Sequence, residues 1–327
     1  MHCRVTGYIG AVMLGMTVQG MVNAAQPADY PTKPIRMVVP YPAGGPTDVI
    51  VRVAATRLAE QLGQQIVVDN RAGASGMIGA ELVARATPDG YTLLVNPSIH
   101  VILPSLVAKM PYDAVKDFSH VTILASVPLL MLVSPALPAK TVKDFIAYAK
   151  ANPAKINFAS SSTGSSSHLA GEQFKALVGV DMQHVPYKGS TPALTDVVSG
   201  QVQFMFDSTP SSMPFVRSGR LRALAVTTAK RTQSAPDVPT MAEAGLPGFD
   251  QSNWYGVWGP RGMPRDIVNK LAAAIRTVMQ RQDVRDRLVE LGADPVGDVA
   301  PAQFERFAAE ELVRYAKIVK QAGIKAE

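Results

Sequence analysis

The chain has 327 residues, of which 47% are apolar and 18% charged, and its formal net charge is +6. These proportions are typical of a soluble globular protein and exclude a disordered or fibrous chain, while the length predicts about two domains. Lysine and arginine are scattered, without a basic block or interleaved aromatic residues. This pattern excludes a typical nucleic-acid-binding surface.

The first element along the chain is an export signal. Arg4 precedes an apolar stretch over residues 9–22, and the small residues "VNAA" end it. This is the plan of a secretory signal peptide, and the apolar stretch is too short and interrupted for a good membrane span. We expect residues 1–25 to be a cleaved signal peptide and the mature protein to be periplasmic; an uncleaved N-terminal anchor is the alternative.

The single cysteine, Cys3, lies within this prefix. Its removal leaves a mature chain without a disulfide, a thiolate nucleophile or a cysteine-based metal site. Arg4 leaves with no carboxylate, so the net charge falls from +6 to +5. A mildly basic, cysteine-free exported protein is typical of the bacterial periplasm.

The mature chain begins with alternating strands and helices. The predicted elements are strands over 35–40, 65–70 and 91–95, and helices over 47–62 and 77–86. Gly63 is the expected C-cap of the first helix. Strand, turn and helix repeated in this way predict βαβ units and a mainly parallel sheet.

A second α/β unit follows the first. Its predicted elements are helices over 141–153, 168–179, 191–200 and 211–219, and strands over 155–160, 182–187, 202–207 and 221–227. Thr141 is the expected N-cap of its first helix, with Asp144 three residues on.

Two extended apolar segments, 121–134 and 252–260, connect the units, and the last third of the chain is helical. These last helices are expected to pack on the first unit. The prediction is therefore an α/β fold of two lobes joined by a two-crossing hinge, with the ligand cleft between them. Lobe 1 would comprise 26–125 and 253–327, and lobe 2 would comprise 126–252.

Three polar loops rich in small residues follow predicted strands and lead into helices: 42–48, 72–76 and 161–168. Ligands of open α/β sheets bind at such positions. Helix N-termini offer free N–H groups and a partial positive charge, glycine permits close approach, and serine and threonine add donors. The loops therefore predict capture of an anion without a formal counter-charge, although turn glycines and helix caps are the alternative for each loop.

Four side chains near these loops are candidates for a specific role, and three of them have two interpretations. Thr47 fits a ligand donor, whereas Asp48 fits a cap or a holder of ordered water. His168 fits either a pH-sensitive ligand contact or an internally satisfied histidine. Asp207 follows a predicted strand and either orients a ligand donor or caps the next turn.

The usual parts of an enzyme are missing. Neither a G-x-x-x-x-G-K-[ST] nor a G-x-G-x-x-G motif occurs, nor a G-x-S-x-G elbow or an H-E-x-x-H helix. His168 and Glu172 share a helix face, but two ligands do not make a metal site. We predict no catalytic residues, cofactor or metal; a periplasmic enzyme using Ser165, His168 and Asp207 is the disfavoured alternative.

Several segments in this order and spacing carry a family likeness: "YPAGGPTD", "VVDNRAGASGMIGA", "SSTGSSSHLAGEQFK", "HVPYKGSTPALTDVVSGQVQFMFD" and "WYGVWGP". Over essentially the whole mature chain, the protein resembles the extracytoplasmic solute-binding receptors of tripartite tricarboxylate transporters, also called Bug proteins. The resemblance implies a periplasmic binding protein-like fold that closes over a small organic carboxylate.

The resemblance also implies a site and partners. The ligand-binding residues it points to, together with the adjoining second loop, are Tyr41, Ala43, Gly44, Gly45, Thr47, Asp48, Ser75, Gly76, Ser162, Thr163, Gly164, Ser165, Ser166, His168 and Asp207. The implied partners are the integral-membrane permease subunits of a transporter, with the receptor as a monomer. A co-sensor that presents its closed form to a sensor kinase is the alternative function.

Overall fold

A computed structural model describes residues 30–187 and 189–324; the predicted signal peptide lies outside this range. The elements of the first half, in chain order, are β1 Ile35–Val39, α1 Pro46–Leu62, β2 Ile66–Asn70, α2 Met77–Ala84, β3 Thr92–Pro97, α3 Ile99–Ile102, β4 Phe118–Val133, α4 Val142–Ala151, β5 Asn157–Ser160 and α5 Ser166–Val178. Those of the second half are β6 Gln183–Pro186, α6 Ser190–Ser199, β7 Phe204–Ser208, α7 Thr209–Arg217, β8 Arg222–Val226, β9 Ser252–Pro260, α8 Arg265–Met279, α9 Gln282–Glu290, β10 Asp294–Pro295 and α10 Pro301–Gln321. Across the described ranges, every helix is too short or too polar to cross a membrane.

The first lobe is built on a sheet with β1 at the centre of three parallel strands. β1 pairs with β2 on one side and with β3 on the other, both in parallel. β9 then adds to β3 in the antiparallel direction. Because three parallel strands end at one edge, the loops that follow β1, β2 and β3 meet there, as the βαβ pattern predicts.

The second lobe has its own sheet, with β5 between parallel neighbours β6 and β7. Its core on one side of the sheet is a cluster of buried phenylalanines: Phe145, Phe158, Phe174, Phe204, Phe206 and Phe249. Aromatic rings of this kind bury large apolar areas and prefer edge-to-face or offset contacts, as Phe174 and Phe204 show with centroids 5.5 Å apart. The loops after β5 and β7 leave the sheet at the same edge, because the two strands are parallel.

One strand, β4, belongs to both sheets. Its residues Phe118–Pro128 pair with β9, and residues Leu129–Val133 pair with β7 and β8. Pro128 has no N–H to donate to a ladder, and the strand changes partner directly after it. β9 pairs only with β3 and with the first part of β4, so β4 is the strand that the two sheets share.

The C-terminal helices pack on the first lobe, as predicted. α10 lies against β4 and α3, and α8 lies against α1 and β4. The core they complete contains Trp254, Trp258, Phe304 and Tyr315, all buried.

The local elements differ from the predictions in two instructive places. α5 begins at Ser166 rather than at 168, because the Ser165 hydroxyl accepts the N–H of His168 and so caps the helix two residues earlier. α3 and the 3₁₀ turn Leu103–Ser105 after it were not predicted, because Pro104 interrupts the apolar run. The Thr141 cap of α4 forms as predicted, with Asp144 completing a capping box.

Candidate functional site

The loop between β1 and α1 is shaped by Asp48. The Asp48 carboxylate accepts hydrogen bonds from the Gly44 N–H (2.9 Å), from Arg52 Nε (2.9 Å) and from Asn70 Nδ2 (3.0 Å). The hydrogen bond from the Arg52 guanidinium holds the pKa of this buried carboxyl below its usual range, against the opposing effect of burial. Asp48 thus stays ionised and is used inside the loop, as a cap would be.

The N-terminus of α1 opens directly from this loop. Pro46 occupies the first helical position, and the preceding Gly45 places no side chain over the helix end. The first N–H groups of a helix lack intrahelical partners, so the N–H groups that follow Pro46 are donors at this end. The Thr47 side chain is buried and lines the cavity described below.

The loop after β2 holds Ser75 in a strained conformation. Ala74 and Ser75 have φ angles of 45° and 53°, in the left-handed region that non-glycine residues rarely adopt. The Tyr41 hydroxyl lies 3.4 Å from the Ser75 carbonyl oxygen and 3.3 Å from Asn96 Oδ1, and it packs beside Gly76. Strain of this kind persists where surrounding contacts hold it, commonly at ligand sites.

The loop between β5 and α5 is closed by its own serines and by His168. The Ser165 hydroxyl donates to the Ser162 carbonyl (2.7 Å) and accepts the N–H of His168 (3.3 Å). The Gly164 N–H donates to His168 Nδ1 (3.0 Å), at a backbone φ of +74° that favours glycine. The His168 imidazole therefore fixes the backbone of this loop at Gly164.

His168 is stacked on a second histidine. Its ring lies 3.7 Å from that of His184, at an interplanar angle of 9°. The far nitrogen of His168 lies 3.7 Å from Glu172 Oε1, and His184 Nε2 lies 2.6 Å from the Ser160 hydroxyl. Burial lowers the pKa of His184 to about 4, so this ring is neutral at neutral pH and the stack carries no repulsion between two charged imidazoles.

Asp207 is the penultimate residue of β7 and lies between the first turns of α6 and α7. Its carboxylate accepts hydrogen bonds from the Ser190 hydroxyl (2.6 Å) and from the Ser211 hydroxyl. Burial raises the pKa of Asp207 to about 6, although both serines oppose the shift. The Asp207 carboxylate is therefore hydrogen-bonded by groups of its own lobe.

A cavity of about 560 Å³ lies between these loops. The predicted site residues that line it are Tyr41, Gly45, Thr47, Ser75, Ser162, Thr163, Gly164, Ser165 and Ser166. The predicted residues that do not line it are Ala43, Gly44, Asp48, Gly76, His168 and Asp207. Asp48 and His168 instead support the lining loops, and the direct role of each predicted residue in ligand binding stays a prediction.

Two polar residues of the lining, Asn253 and Tyr255, escaped sequence reasoning. Both lie on β9, where they share one face because side chains alternate along a strand. Ser98 donates to Asn253 Oδ1 (3.0 Å), and Asn253 Nδ2 donates to the Tyr255 hydroxyl (3.4 Å). The alternation in "SNWYGVWGP" was the available signal, with Trp254 and Trp258 facing the other way into the core.

The remaining lining is apolar and was not predicted either. It consists of Pro42, Pro46, Pro97, Ile99, Leu103, Leu106, Val107 and Ile324. Most of these residues come from the end of β3 and the unpredicted turns that follow it. Within residues 30–187 and 189–324, no cluster of three or more His, Cys, Asp or Glu side chains is placed to hold a metal ion.

A family model described as "Tripartite tricarboxylate transporter family receptor" matches residues 50–324 of the chain. The chain belongs to this receptor family. The receptor is 34% identical to the periplasmic binding protein BugD, over 91% of this chain and 100% of that one, with a TM-score of 0.73.

Two further related structures were solved with a ligand. An R. palustris protein solved with adipate is 40% identical to the receptor, over 91% of this chain and 100% of that one, with a TM-score of 0.77. MatC from Rhodopseudomonas palustris, solved with bound malate, is 37% identical, over 89% and 100%, with a TM-score of 0.71. The predicted family and the two-lobed α/β fold of periplasmic binding proteins are confirmed, and the receptor is a solute-binding protein rather than an enzyme.

Proposed function

We propose that the receptor captures a small organic carboxylate in the periplasm and delivers it to the membrane permease of a tripartite transporter. The proposal rests on one observation. The helices α1 and α5, one from each lobe, both begin at loops rich in serine, threonine and glycine, and these two loops line the same cavity. Such helix N-termini bind anions through N–H and hydroxyl donors. The adipate and malate bound by two related proteins support the same ligand chemistry.

Delivery requires a closed form that differs from the empty one. A ligand that bonds to loops of both lobes gains contacts only when the lobes are together, and it shifts the equilibrium by that difference. The predicted lobes, 26–125 with 253–327 and 126–252, would close around β4 and β9. Export by cleavage of residues 1–25 would place this cycle in the periplasm.

The proposal is tested by titrating the mature receptor with mono-, di- and tricarboxylates in a calorimeter, beside neutral sugars. We expect saturable binding of at least one acid. Binding of a neutral sugar with no response to any acid would overturn the proposal.

A strain that lacks the receptor separates transport from the co-sensor alternative. Uptake and gene induction are both measured: loss of uptake supports transport, whereas loss of induction alone supports signalling.

Thr47 provides the matching variant. Thr47→Val keeps the shape of the side chain and removes the hydroxyl from the cavity, so we expect the affinity for the acid to fall by roughly tenfold, as for loss of one hydrogen bond to a charged group. Thr277→Val on the exposed side of α8 is the control, because its hydroxyl donates only to the Ala273 carbonyl. Equal affinities in the two variants would remove Thr47 from the site.

A further inference from the structure

The cavity has two chemically different parts. One part consists of the hydroxyl- and glycine-bearing loops around Thr47 and residues 162–166, which present donors. The other is an apolar wall, defined here as Pro97, Ile99, Leu103, Leu106, Val107 and Ile324. A ligand that fills the cavity therefore meets donors on one part of its surface and hydrocarbon on another.

The backbone of the apolar wall offers little to an anion. Pro97 has no N–H, and the N–H of Leu103 already donates to the Ile99 carbonyl. The N–H groups of Leu106 and Val107 both donate to the Leu103 carbonyl at 2.9 Å. Since these donors are used within helical turns, the stretch from Leu103 to Val107 could not replace the water around a second carboxylate.

Charge does not compensate for the missing donors. None of the described residues that line the cavity is a lysine, arginine, histidine, aspartate or glutamate. Arg52, which lies beside the first-lobe loop, is committed to Asp48 at 2.9 Å. Asn253 accepts the Ser98 hydroxyl and donates to the Tyr255 hydroxyl, so both ends of its carboxamide have partners within the protein.

The apolar wall reaches across to the second lobe. A methyl group placed on Gly164 would lie 2.6 Å from Leu106 Cδ1, so the Leu106 side chain packs against the donor loop. The hydrocarbon surface thus begins beside the donors that would hold the first carboxylate. A ligand whose apolar body adjoins its carboxylate fits this juxtaposition.

We infer that the receptor selects acids with a single carboxylate on an apolar body, and that its apolar wall discriminates against dicarboxylates. The inference rests on the proposed capture of a carboxylate and narrows its class. It also separates this receptor from its relatives solved with adipate and malate, which are both dicarboxylic acids.

Hexanoate and adipate are the decisive probes, because they share chain length and differ by one carboxylate. In calorimetric titrations of the mature receptor we expect hexanoate, benzoate or cyclohexanecarboxylate to bind at least tenfold more tightly than adipate or malate. A dicarboxylate that binds as tightly as or more tightly than every monocarboxylate tested would overturn the inference and leave carboxylate capture standing. If no acid binds at all, carboxylate capture fails and the inference fails with it.

A variant moves the selectivity in a stated direction. Leu106→Lys places a cation in the apolar wall, so the ratio of adipate affinity to hexanoate affinity should rise by tenfold or more. Leu177→Lys is the matched control: Leu177 is 49% exposed and lies outside this cavity, and the ratio should stay unchanged. Thermal unfolding of both variants shows whether they fold, and an unchanged ratio in a folded Leu106→Lys protein would contradict the placement of the apolar wall.

Discussion

At the scale of single residues, two buried carboxylates respond to their surroundings in opposite ways. Asp48 accepts a hydrogen bond from a guanidinium, which lowers its pKa. Asp207 is hydrogen-bonded only by neutral groups, and burial raises its pKa to about 6. The difference follows from charge: serine hydroxyls stabilise a carboxylate less than a nearby cation does.

The Asp207 shift predicts a pH dependence of stability. Because its pKa is higher in the folded protein than in an unfolded chain, the folded state binds more protons between about pH 4 and pH 6, and stability falls as the pH rises through that window. Across this window the free energy of unfolding falls by up to about 3 kcal/mol because of Asp207. Urea unfolding of Asp207→Asn and the parent protein across this range should show the parent losing stability relative to the variant; parallel curves would contradict the shift.

The sequence predicted which loops line the cavity better than it predicted the hydrogen-bond partners of the buried polar side chains. Serine, threonine and glycine before a helix have local roles that a strand–turn–helix pattern already reveals, as for Thr47 and residues 162–166. For Asp48, His168 and Asp207 the sequence offered a cap or an internal partner as well as a role at the ligand. Buried polar groups need partners, and each of the three has one in its own loop or lobe. Those partners depend on tertiary structure, so composition and spacing did not reveal them.

At the scale of elements, the start of α5 is held by the close contact between Gly164 and Leu106. Gly164→Ala would add a methyl group 2.6 Å from Leu106 Cδ1, which the leucine side chain can relieve by turning, and at a φ of +74°, which alanine adopts only with strain. Because of this backbone strain we expect the donor loop to shift and the ligand affinity to fall at least tenfold. Gly200→Ala is the control, because Gly200 has a similar φ of +81° and open space around its Cα. Both variants should lose about 1 kcal/mol of stability from backbone strain, measured by urea unfolding. A Gly164→Ala protein with unchanged affinity would show that this loop does not hold the ligand.

The elements were predicted well where apolar residues recur with a regular period, and poorly where the apolar run is short. The βαβ order of both lobes and the Thr141 cap were predicted because each is encoded over a few consecutive residues. α3 and the turn Leu103–Ser105 were missed, since an apolar run broken by proline is typical of several structures. Four of the six residues of the apolar wall lie in this missed segment or directly after it: Ile99, Leu103, Leu106 and Val107. The proposed selectivity was therefore not predicted together with the donors.

At the scale of the whole molecule, α10 is bonded to the segment that returns from the second α/β unit to β9. Glu311 accepts hydrogen bonds from Arg314 (2.6 Å and 2.8 Å) and from Trp254 Nε1 (3.2 Å), and Arg314 also donates to the Asp250 carbonyl (2.9 Å). This cluster fastens the start of β9 to the C-terminal helix.

Glu311→Gln should weaken that fastening. The substitution removes the ion pair with Arg314 but keeps one acceptor, so we expect the free energy of unfolding to fall by about 2 kcal/mol. Trp254 fluorescence follows the transition directly. Glu310→Gln, the exposed neighbour on the same helix, should leave stability nearly unchanged, and an equal loss in both variants would assign the effect to the helix rather than to the cluster.

The strand shared by both sheets limits how such a receptor can be recombined. Because β4 contributes Phe118–Pro128 to one lobe and Leu129–Val133 to the other, neither lobe has a boundary that lies in a loop at this crossing. A chimaera that exchanged one lobe between two receptors would have to join two half-strands in register inside a sheet. New specificities in this architecture are therefore more accessible by changing side chains along the cavity walls than by shuffling lobes.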